Sequence, residues 1–454
     1  MLGRTVTELM PFHRLDDWFS SEETFLTQTD ALSARGGSPL RRTHAPPGSI
    51  PGQPALLRAI NDRAALELLV EHGPLSRAQI GRLTGLSKPT ASQLLARLEE
   101  AGLVIPIGPR AGGRTAQLYE VNPGAAYVGA MDVTPAGIDA VIADITDRVV
   151  ARGTYRTPGR AGADAVQAVH AALAETAETV ELKIRDLIHV VAATPGALNP
   201  DTGQLGYAHH LPGWHQPRLV DQLTEALGVP VEVENDVNLA AIAESMTGAA
   251  QDVADFLHLW VSSGVGLALV IGGELYRGAT GGAGEIGYMP VPGLPVPDHV
   301  GLSAKGAFQS SVGSPAVLGL ARQHGLRART AADALAAAAA APDDPRHAAL
   351  LDELARRLAA GLAAIIATLD PGLIVLSGEV CQAGGTALRD RVARQLDQLT
   401  IPKPELRLST VSGNPVLVGA TFAALKRARA AVFGSTVAGT PPRPVNTVMS
   451  GVHP

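Results

Sequence analysis

The segment VEVENDVNLAAIAE, residues 231–244, places carboxylates and an amide side by side in the middle of the chain. Its valine alternation predicts a strand that ends on Glu234, and the alanine-rich residues that follow predict a helix. A carboxylate held where a strand passes into a helix is suited to act as a general base. The pair Asn235 and Asp236 is equally suited to bind vicinal hydroxyl groups without removing a proton. The segment therefore supports two hypotheses, catalysis and binding alone.

The whole chain has the bulk properties of a soluble globular protein. Its 454 residues suffice for two or three domains, with 46 % hydrophobic and 18 % charged residues. A net charge of −6 excludes a polycation, so any nucleic-acid surface must be local. The single Cys381 excludes a disulfide framework and a multi-cysteine zinc site, and it is typical of a reducing cytoplasm.

The two ends of the chain and its most apolar stretch predict no membrane segment. The first residues contain no uninterrupted apolar run, so we expect no signal peptide. The apolar stretch 358–376 is divided by Asp370-Pro371 and predicts a buried helix, a turn and a buried strand. Residues 1–53 are rich in Gly, Pro, Ser and Arg, which predicts disorder, and 435–454 is expected to be a flexible tail.

Residues 54–123 have the pattern of a winged helix-turn-helix domain. Helical spacing of leucines, a break at Gly73-Pro74, and Ser76 and Ser87 as N-caps predict three helices. The runs LVIPIG and AQLYEVN, joined by PRAGGRT, then predict a β-hairpin with a basic tip. We expect eight apolar side chains to face inward: Leu66, Leu69, Ile80, Leu83, Leu86, Leu94, Leu95 and Leu98.

The third helix and the hairpin tip carry the residues expected to contact DNA. Residues 54–115 hold eight Lys and Arg against five Asp and Glu, in a chain that is acidic overall. Small polar residues at the start of a recognition helix meet base edges and phosphates. A three-helix packing module would show the same periodicity, and Gln93 could equally be a solvent-facing residue. The candidates are Ser87, Lys88, Pro89, Thr90, Ser92, Gln93, Arg97, Arg110, Gly112 and Arg114.

Beyond Pro123 the chain alternates between strand and helix patterns, which predicts a two-lobed α/β domain over 124–434. The predicted strands are 127–132, 138–144, 148–155, 187–193, 230–234, 256–262, 266–272 and 373–377. The predicted helices are 162–184, 215–227, 237–247, 315–324 and 348–369, with a helical alanine tract at 334–341. His258 is expected to be a satisfied core residue, and Trp214 to pack a loop over the core.

Several of these segments together resemble the ROK family of repressors and sugar kinases, in particular its repressor branch. The segments are SKPTASQLLARLEEAGLV, GPRAGGRTAQLYEVNP, TPGALNPDTGQL, VENDVNLAAIAE, SSGVGLALVIGGELYRGATGGAGEIGYMPV and LIVLSGEV. The resemblance covers about residues 55–432. It implies an actin-like, two-lobed fold behind the winged helix, with a cleft for a sugar or a related effector.

The resemblance also implies two phosphate-binding loops, and both depart from the family pattern. The first loop has the form D-x-G-x-T, but here it reads DVTPA, with Thr134 for Gly and Ala136 for Thr. Pro135 also removes an N–H donor. The second loop, G-T-G-x-G, reads SSGVG at 262–266. These changes argue against productive ATP binding.

The sugar site implied by the resemblance is only partly retained. Gly196, Asn235, Asp236 and Glu285 match positions that contact sugar hydroxyls, and Asp236 matches the catalytic base. Tyr288 replaces the family's histidine and Gln309 its glutamate, so the family's usual sugar is not assumed to fit. His210 either lines the cleft or lies in a loop without contact. The candidate ligand residues are Gly196, His210, Asn235, Asp236, Glu285, Tyr288 and Gln309.

The structural zinc site of the family has no counterpart here. Val300, Leu302 and Ala307 stand where its cysteines would be, and Tyr288 stands in place of its histidine. The nearby His299 is expected to be structural or solvent-facing. Packing of Val300, Leu302 and Phe308 is expected to take over, and we predict neither a metal nor a cofactor.

Three functions remain open from the sequence. The first is a cytoplasmic DNA-binding regulator, a homodimer or tetramer on a two-fold operator of double-stranded DNA, which senses a sugar without phosphorylating it. The second is a regulator whose larger domain only dimerises. The third is an active sugar kinase with an added DNA-binding domain. The damaged phosphate loops favour the first, because phosphoryl transfer depends on a positioned donor.

Overall fold

Residues of two domains are described by the structure, a computed structural model. No helix among them is long and apolar enough to cross a membrane. The predicted disorder of 1–53, the tail 436–454, and the residues Arg110, Gly112, Arg114, His210, His299, Val300 and Leu302 all lie outside the described part. That part comprises residues 54–108, 116–156, 164–206, 211, 213–292 and 306–435.

The first domain is a winged helix-turn-helix, as its sequence predicts. Three helices precede a three-stranded antiparallel sheet with strand order β1-β3-β2. The sequence pattern missed β1, because a strand of two residues is too short to show alternation. The elements are α1 (Pro54–His72), β1 (Leu75–Ser76), α2 (Arg77–Leu83), α3 (Lys88–Glu100), β2 (Val104–Ile107) and β3 (Leu118–Val121).

Both serine caps that the sequence predicts are present. Ser76 begins α2 with a capping box, in which its side chain and that of Gln79 satisfy each other's backbone N–H groups. Ser87 begins α3, and its hydroxyl accepts a hydrogen bond from the Thr90 N–H at 3.4 Å. Gly85, with a φ of 70°, makes the sharp turn between the two helices. These caps fix where the recognition helix α3 starts.

For two side chains of this domain, the predicted direction, toward the core or toward solvent, is wrong. Leu83, expected inside, is 52 % exposed because it lies on the last turn of α2, beside the connecting turn. Arg97, expected to point outward, folds back onto α1: its Nη2 atom lies 2.6 Å from Oδ1 of the buried Asp62. Arg97 therefore ties α3 to α1 through a charge-assisted hydrogen bond.

The second domain begins with a five-stranded sheet of order β10-β7-β4-β5-β6. Strands β4, β5 and β6 are antiparallel, while β7 and β10 run parallel to β4. The elements are β4 (Tyr127–Thr134), β5 (Gly137–Asp144), β6 (Val149–Tyr155), α4 (Ala165–Glu178), β7 (Leu187–Thr194), β8 (Ala197–Leu198), β9 (Leu205–Gly206), α5 (Leu219–Leu227), β10 (Val231–Asn235) and α6 (Asp236–Thr247).

A second five-stranded sheet, of order β13-β12-β11-β14-β15, has the same mixture of antiparallel and parallel neighbours. The paired sheets confirm the two-lobed α/β prediction. The elements are β11 (Phe256–Val261), β12 (Val265–Ile271), β13 (Glu274–Leu275), α7 (Ala307–Val312), α8 (Ser314–Gln323), α9 (Ala331–Ala340), α10 (Pro345–Leu369), β14 (Leu373–Ser377), α11 (Gly378–Leu399) and β15 (Glu405–Leu408).

The last helix, α12 (Pro415–Ser435), returns from the second sheet to the first. Its apolar residues pack against α6 and the first sheet, around Ala420, Ala424 and Leu425. At its end, Val432 and Phe433 are only 3 % and 2 % exposed, within the core of the winged helix. Helix α12 thus joins the two domains.

The predicted elements of the second domain are present, with shorter helices in two places. The helix predicted at 162–184 spans Ala165–Glu178, and that predicted at 215–227 begins at Leu219. Helices α7, α11 and α12 and strands β8, β9, β13 and β15 were not predicted. Trp214 is buried in the core of the first sheet, as expected. His258 is fully buried, but its Nε2 atom has no hydrogen-bond partner among the described residues, so it is not the satisfied residue expected.

The Arg97–Asp62 contact generates a test of the winged helix. Arg97→Ala should destabilise this domain by about 1–3 kcal/mol, because it leaves a buried carboxylate without its partner. Hydrogen exchange of α1 and α3 in the full chain measures the change, with the exposed Arg82→Ala as control. Equal protection in the two variants would contradict the role of Arg97 in tying the helices.

Candidate functional site

A cleft of about 660 Å³ lies between turns and strand ends of the two sheets. The β4–β5 turn, the β10–α6 junction and the β11–β12 turn all contribute to its walls. The cleft brings together every predicted ligand residue that the structure describes: Gly196, Asn235, Asp236, Glu285, Tyr288 and Gln309.

The amide of Asn235 is already engaged in holding the site. Its Nδ2 atom donates to the Gly196 carbonyl at 2.9 Å, and its Oδ1 accepts from the Asn238 N–H at 3.0 Å, which caps α6. Asn235 thus fixes the first turn of α6, where Asp236 follows. Asn235 therefore also positions the site, and the binding of hydroxyl groups by Asn235 and Asp236 stays a prediction.

Glu234, the carboxylate at the predicted strand end, is a structural residue. Its Oε2 lies 2.6 Å from Nε of Arg277, and its Oε1 accepts from Asn238 Nδ2 at 2.8 Å. The strand continues one residue further, to Asn235. This ion pair joins the buried Glu234 to the exposed Arg277, and so holds the β10–α6 junction to the segment that follows β13. Asp236 is the acid of this segment that lines the cleft.

Burial raises the pKa values of the two carboxyl groups that line the cleft. The pKa of Asp236 is raised to about 7, chiefly by burial; the Val237 N–H lowers it, and the negative charges of Asp132 and Glu285 add to the rise. For Glu285, burial alone raises the pKa to about 7. Both groups therefore exchange protons near neutral pH, as a general base or a hydrogen-bonding carboxyl would.

The opposite wall is built by a glycine-rich segment. Gly284 has a φ of 93°, and a Cβ atom there would collide with the Leu267 carbonyl, so only glycine allows this approach. The segment then forms a single turn of 3-10 helix, Ile286–Tyr288, that presents Tyr288 to the cleft. Gln309 enters from α7, with its Oε1 close to Gly287. The phenol and the amide give this wall donors and acceptors without charge.

In each of the two turns that resemble phosphate loops, one donor is engaged within the turn itself. Between β4 and β5, Pro135 has no N–H, and the Thr134 hydroxyl donates to the Gly137 carbonyl at 3.1 Å. Between β11 and β12, the Ser262 N–H donates to the Gly264 carbonyl at 2.9 Å. A donor that is bonded to a carbonyl of its own turn is not free to bind a phosphate oxygen.

On the winged helix, the described candidates occupy the start of α3. Ser87, Lys88, Pro89 and Thr90 are exposed, as is Gln93. The Ser92 hydroxyl donates to the Lys88 carbonyl at 2.9 Å, so it is partly committed to the helix. Arg97, as described above, is bound to Asp62.

The comparisons with known proteins identify both domains. The model of the ROK family matches residues 128–427, and a MarR family model matches residues 60–115. The chain belongs to the ROK family.

Individual relatives of this ROK chain agree with the match. The N-acetylglucosamine repressor of Escherichia coli O6:H1 is 28 % identical over 73 % of this chain and 83 % of its own length. The xylose repressor of Bacillus subtilis is 26 % identical over 52 % of this chain and 61 % of its own length. A crystal structure of a ROK family transcriptional regulator, a homologue of the E. coli MLC protein, covers 84 % of this chain and all of its own, with a TM-score of 0.64 and 19 % identity. At that identity it supports the fold alone.

Three groups at or beside the cleft escaped the sequence analysis. Trp260 lines the cleft from β11, and Arg277 holds Glu234. Asn414 donates from Nδ2 to Oδ2 of Asp132 at 2.8 Å. Only Asn414 carries a sequence signal, the Asn-Pro pair that typically begins a helix. No group of three metal-ligating side chains occurs within the described ranges.

The raised pKa of Asp236 predicts a pH-dependent stability. Between its ordinary pKa of 3.8 and about 7, the folded chain holds more protons than the unfolded chain, so the wild-type stability falls as pH rises through this window. Asp236→Asn should remove that loss and stabilise the chain at pH 8 by on the order of 1–2 kcal/mol, with no gain near pH 4. Thermal unfolding at several pH values measures it. Asp201→Asn, at an exposed position, is the control and should leave the dependence of stability on pH unchanged. An equally unchanged dependence in Asp236→Asn would contradict the burial argument.

Proposed function

We propose that this ROK protein is a DNA-binding transcriptional repressor whose cleft binds a sugar without phosphorylating it. The observation that carries the proposal is the combination of an exposed polar recognition helix with a sugar-type cleft whose two turns depart from the family's phosphate-loop pattern at Thr134, Pro135 and Ser262. Both domains occur in one chain and share the hydrophobic core at the end of α12.

The DNA-binding half of the proposal rests on the start of α3. Its exposed Ser87, Lys88 and Thr90 side chains stand at a helix N-terminus, where phosphate oxygens are favourably bound. The wing residues Arg110, Gly112 and Arg114 are proposed to contact the adjacent backbone or groove. Two copies held together by their ROK domains, 124–434, would read a two-fold operator with half-sites about one helical turn apart.

The sensing half rests on the charge of the cleft. Asp236 and Glu285 line it, and no Lys, Arg or His lines it among the described residues. A phosphorylated sugar would meet two carboxyl groups without a compensating cation, whereas a neutral polyol can share hydrogen bonds with both. The described lining therefore favours an uncharged sugar as effector, and two relatives are named as repressors for such sugars, N-acetylglucosamine and xylose.

A kinase is the second candidate, and Asp236 favours it. Its pKa of about 7 suits a general base, and ROK proteins include kinases such as the glucokinase of Halalkalibacterium halodurans. The two turns that resemble phosphate loops count against a kinase, because they depart from the family pattern and phosphoryl transfer needs a positioned phosphoryl donor. Sugar-dependent consumption of ATP that disappears in Asp236→Asn would establish the kinase and refute the sensor.

DNA recognition is tested by Lys88→Ala on the intergenic DNA beside the gene, measured by fluorescence anisotropy. We expect weaker binding at every sequence tested and a salt dependence whose logarithmic slope falls by about one unit, because one phosphate contact is lost. Lys183→Ala, which removes an exposed lysine of the ROK domain, should leave both unchanged. Equal effects of the two variants would contradict a role for α3 in binding.

Sensing is tested by Asp236→Ala in the same anisotropy assay, titrated with N-acetylglucosamine, xylose and their phosphates. We expect DNA affinity within about twofold of wild type but no response to any sugar, because a shift requires differential ligand binding. A normal sugar response in this variant would place the effector elsewhere. A wild-type chain that binds DNA tightly but responds to no compound would favour a ROK domain that only dimerises.

A further inference from the structure

Helix α12 begins beside the cleft. The Asn414 side chain caps its first turn, accepting from the Val416 and Leu417 N–H groups at 2.9 and 3.2 Å. The same side chain donates from Nδ2 to Oδ2 of Asp132 at 2.8 Å. One amide therefore joins the start of α12 to a residue of β4.

Asp132 connects this junction to the cleft. It lies on β4 directly before Val133, Thr134 and Pro135, which line the cleft. Its negative charge also acts on Asp236, the acid proposed to bind the sugar. Asp132 therefore joins the end of β4 that lines the cleft to Asn414 at the start of α12.

The other end of α12 lies in the DNA-binding domain. Val432 and Phe433 are buried with Leu66 and Leu69 of α1 in the winged-helix core. Arg429 donates from Nε and Nη2 to the Ile145 carbonyl at 3.0 and 2.9 Å, and Ile145 belongs to the same core. From Asn414 to Phe433, the helix spans about 28 Å at 1.5 Å per residue.

Between its ends, α12 is held too closely to bend easily. A Cβ atom at Gly419 would collide with the Leu239 carbonyl of α6, so the two backbones are in direct contact there. Val416, Ala420 and Ala424 are buried against the first sheet and α6. A shift at the N-terminal end is therefore transmitted along α12 as a nearly rigid movement.

We propose that Asn414 and Asp132 are positioning residues that couple occupancy of the cleft to the placement of the winged helix through α12. The proposal deepens the sensor function proposed above and rests on it for the identity of the two sites. It predicts that breaking the junction uncouples the domains while leaving each able to bind its ligand.

Substitutions at residue 414 can break the junction without removing the helix cap. Asn414→Asp keeps the cap acceptor but faces Asp132 with a second carboxylate, and Asn414→Ser keeps a cap while being too short to reach Asp132. The double variant Asp132→Asn with Asn414→Asp exchanges donor and acceptor and should restore the hydrogen bond. Asn199→Asp is the matched control, because it adds the same charge where the side chain caps a turn through Oδ1 alone.

Hydrogen exchange of the full chain at pH 8, without DNA or sugar, tests the junction directly. We expect Asn414→Asp and Asn414→Ser to speed exchange about five- to tenfold in the first turn of α12 and also in α1 and β3. The double variant should show wild-type exchange rates in these segments, and so should the control Asn199→Asp. Faster exchange confined to the neighbourhood of residues 132 and 414 would overturn the proposal.

The anisotropy assay with N-acetylglucosamine and xylose gives the functional readout. In Asn414→Asp, sugar should leave the DNA affinity almost unchanged, a change of about onefold. The sugar affinity of the free variant should stay within about threefold of wild type. An undiminished response would overturn the proposal. A wild-type chain that binds no DNA would refute the proposed function instead, and the exchange experiment would still decide the junction.

Discussion

Helix α12 is the element on which the arrangement of the two domains depends. Its first turns are buried against the first sheet and α6, while Val432 and Phe433 complete the core of the winged helix. Full burial of an apolar side chain of this size contributes about 1.5–3 kcal/mol, so the last turn alone stabilises the contact between the domains by a few kcal/mol. Such a contact is strong enough to set the orientation of the winged helix and weak enough to change.

The cleft at the other end of α12 contains Asp236, which the family resemblance matches to a catalytic base. Asp236 is held by the capped start of α6, and burial gives it a pKa of about 7. In the turns beside it, the Thr134 hydroxyl and the Ser262 N–H donate to carbonyl groups of their own turns. We propose that such a site distinguishes sugar hydroxyls while offering a phosphoryl group little stabilisation, as a sensor would.

Much of this fold could be predicted from local patterns. Ser76 and Ser87 cap the helices where the sequence places them, and most of the strands lie within two residues of their predicted bounds. These features depend on neighbouring residues and on hydrophobic periodicity. The shared location of Glu285, Tyr288 and Gln309 in one cleft was predicted from the family resemblance and not from periodicity.

The features that were missed depend on residues far apart in the sequence. Arg97 is polar and sits on a recognition helix, yet its partner Asp62 is 35 residues earlier and buried. Asn414 and Asp132 are separated by 282 residues, so neither predicts the other. Leu83 was assigned to the core by spacing alone, although the end of a seven-residue helix can leave a leucine in solvent. Tertiary pairing of this kind does not appear in a single sequence.

We infer that one equilibrium connects the cleft and the recognition helix. Calorimetric titration of sugar into the free and the operator-bound protein tests this coupling. Thermodynamic linkage requires the sugar's affinity to change on DNA binding by the same factor by which the sugar changes DNA affinity. We expect the free and the operator-bound protein to have two different sugar affinities, whose ratio equals that factor. Equal sugar affinities for the free and the operator-bound protein would contradict it.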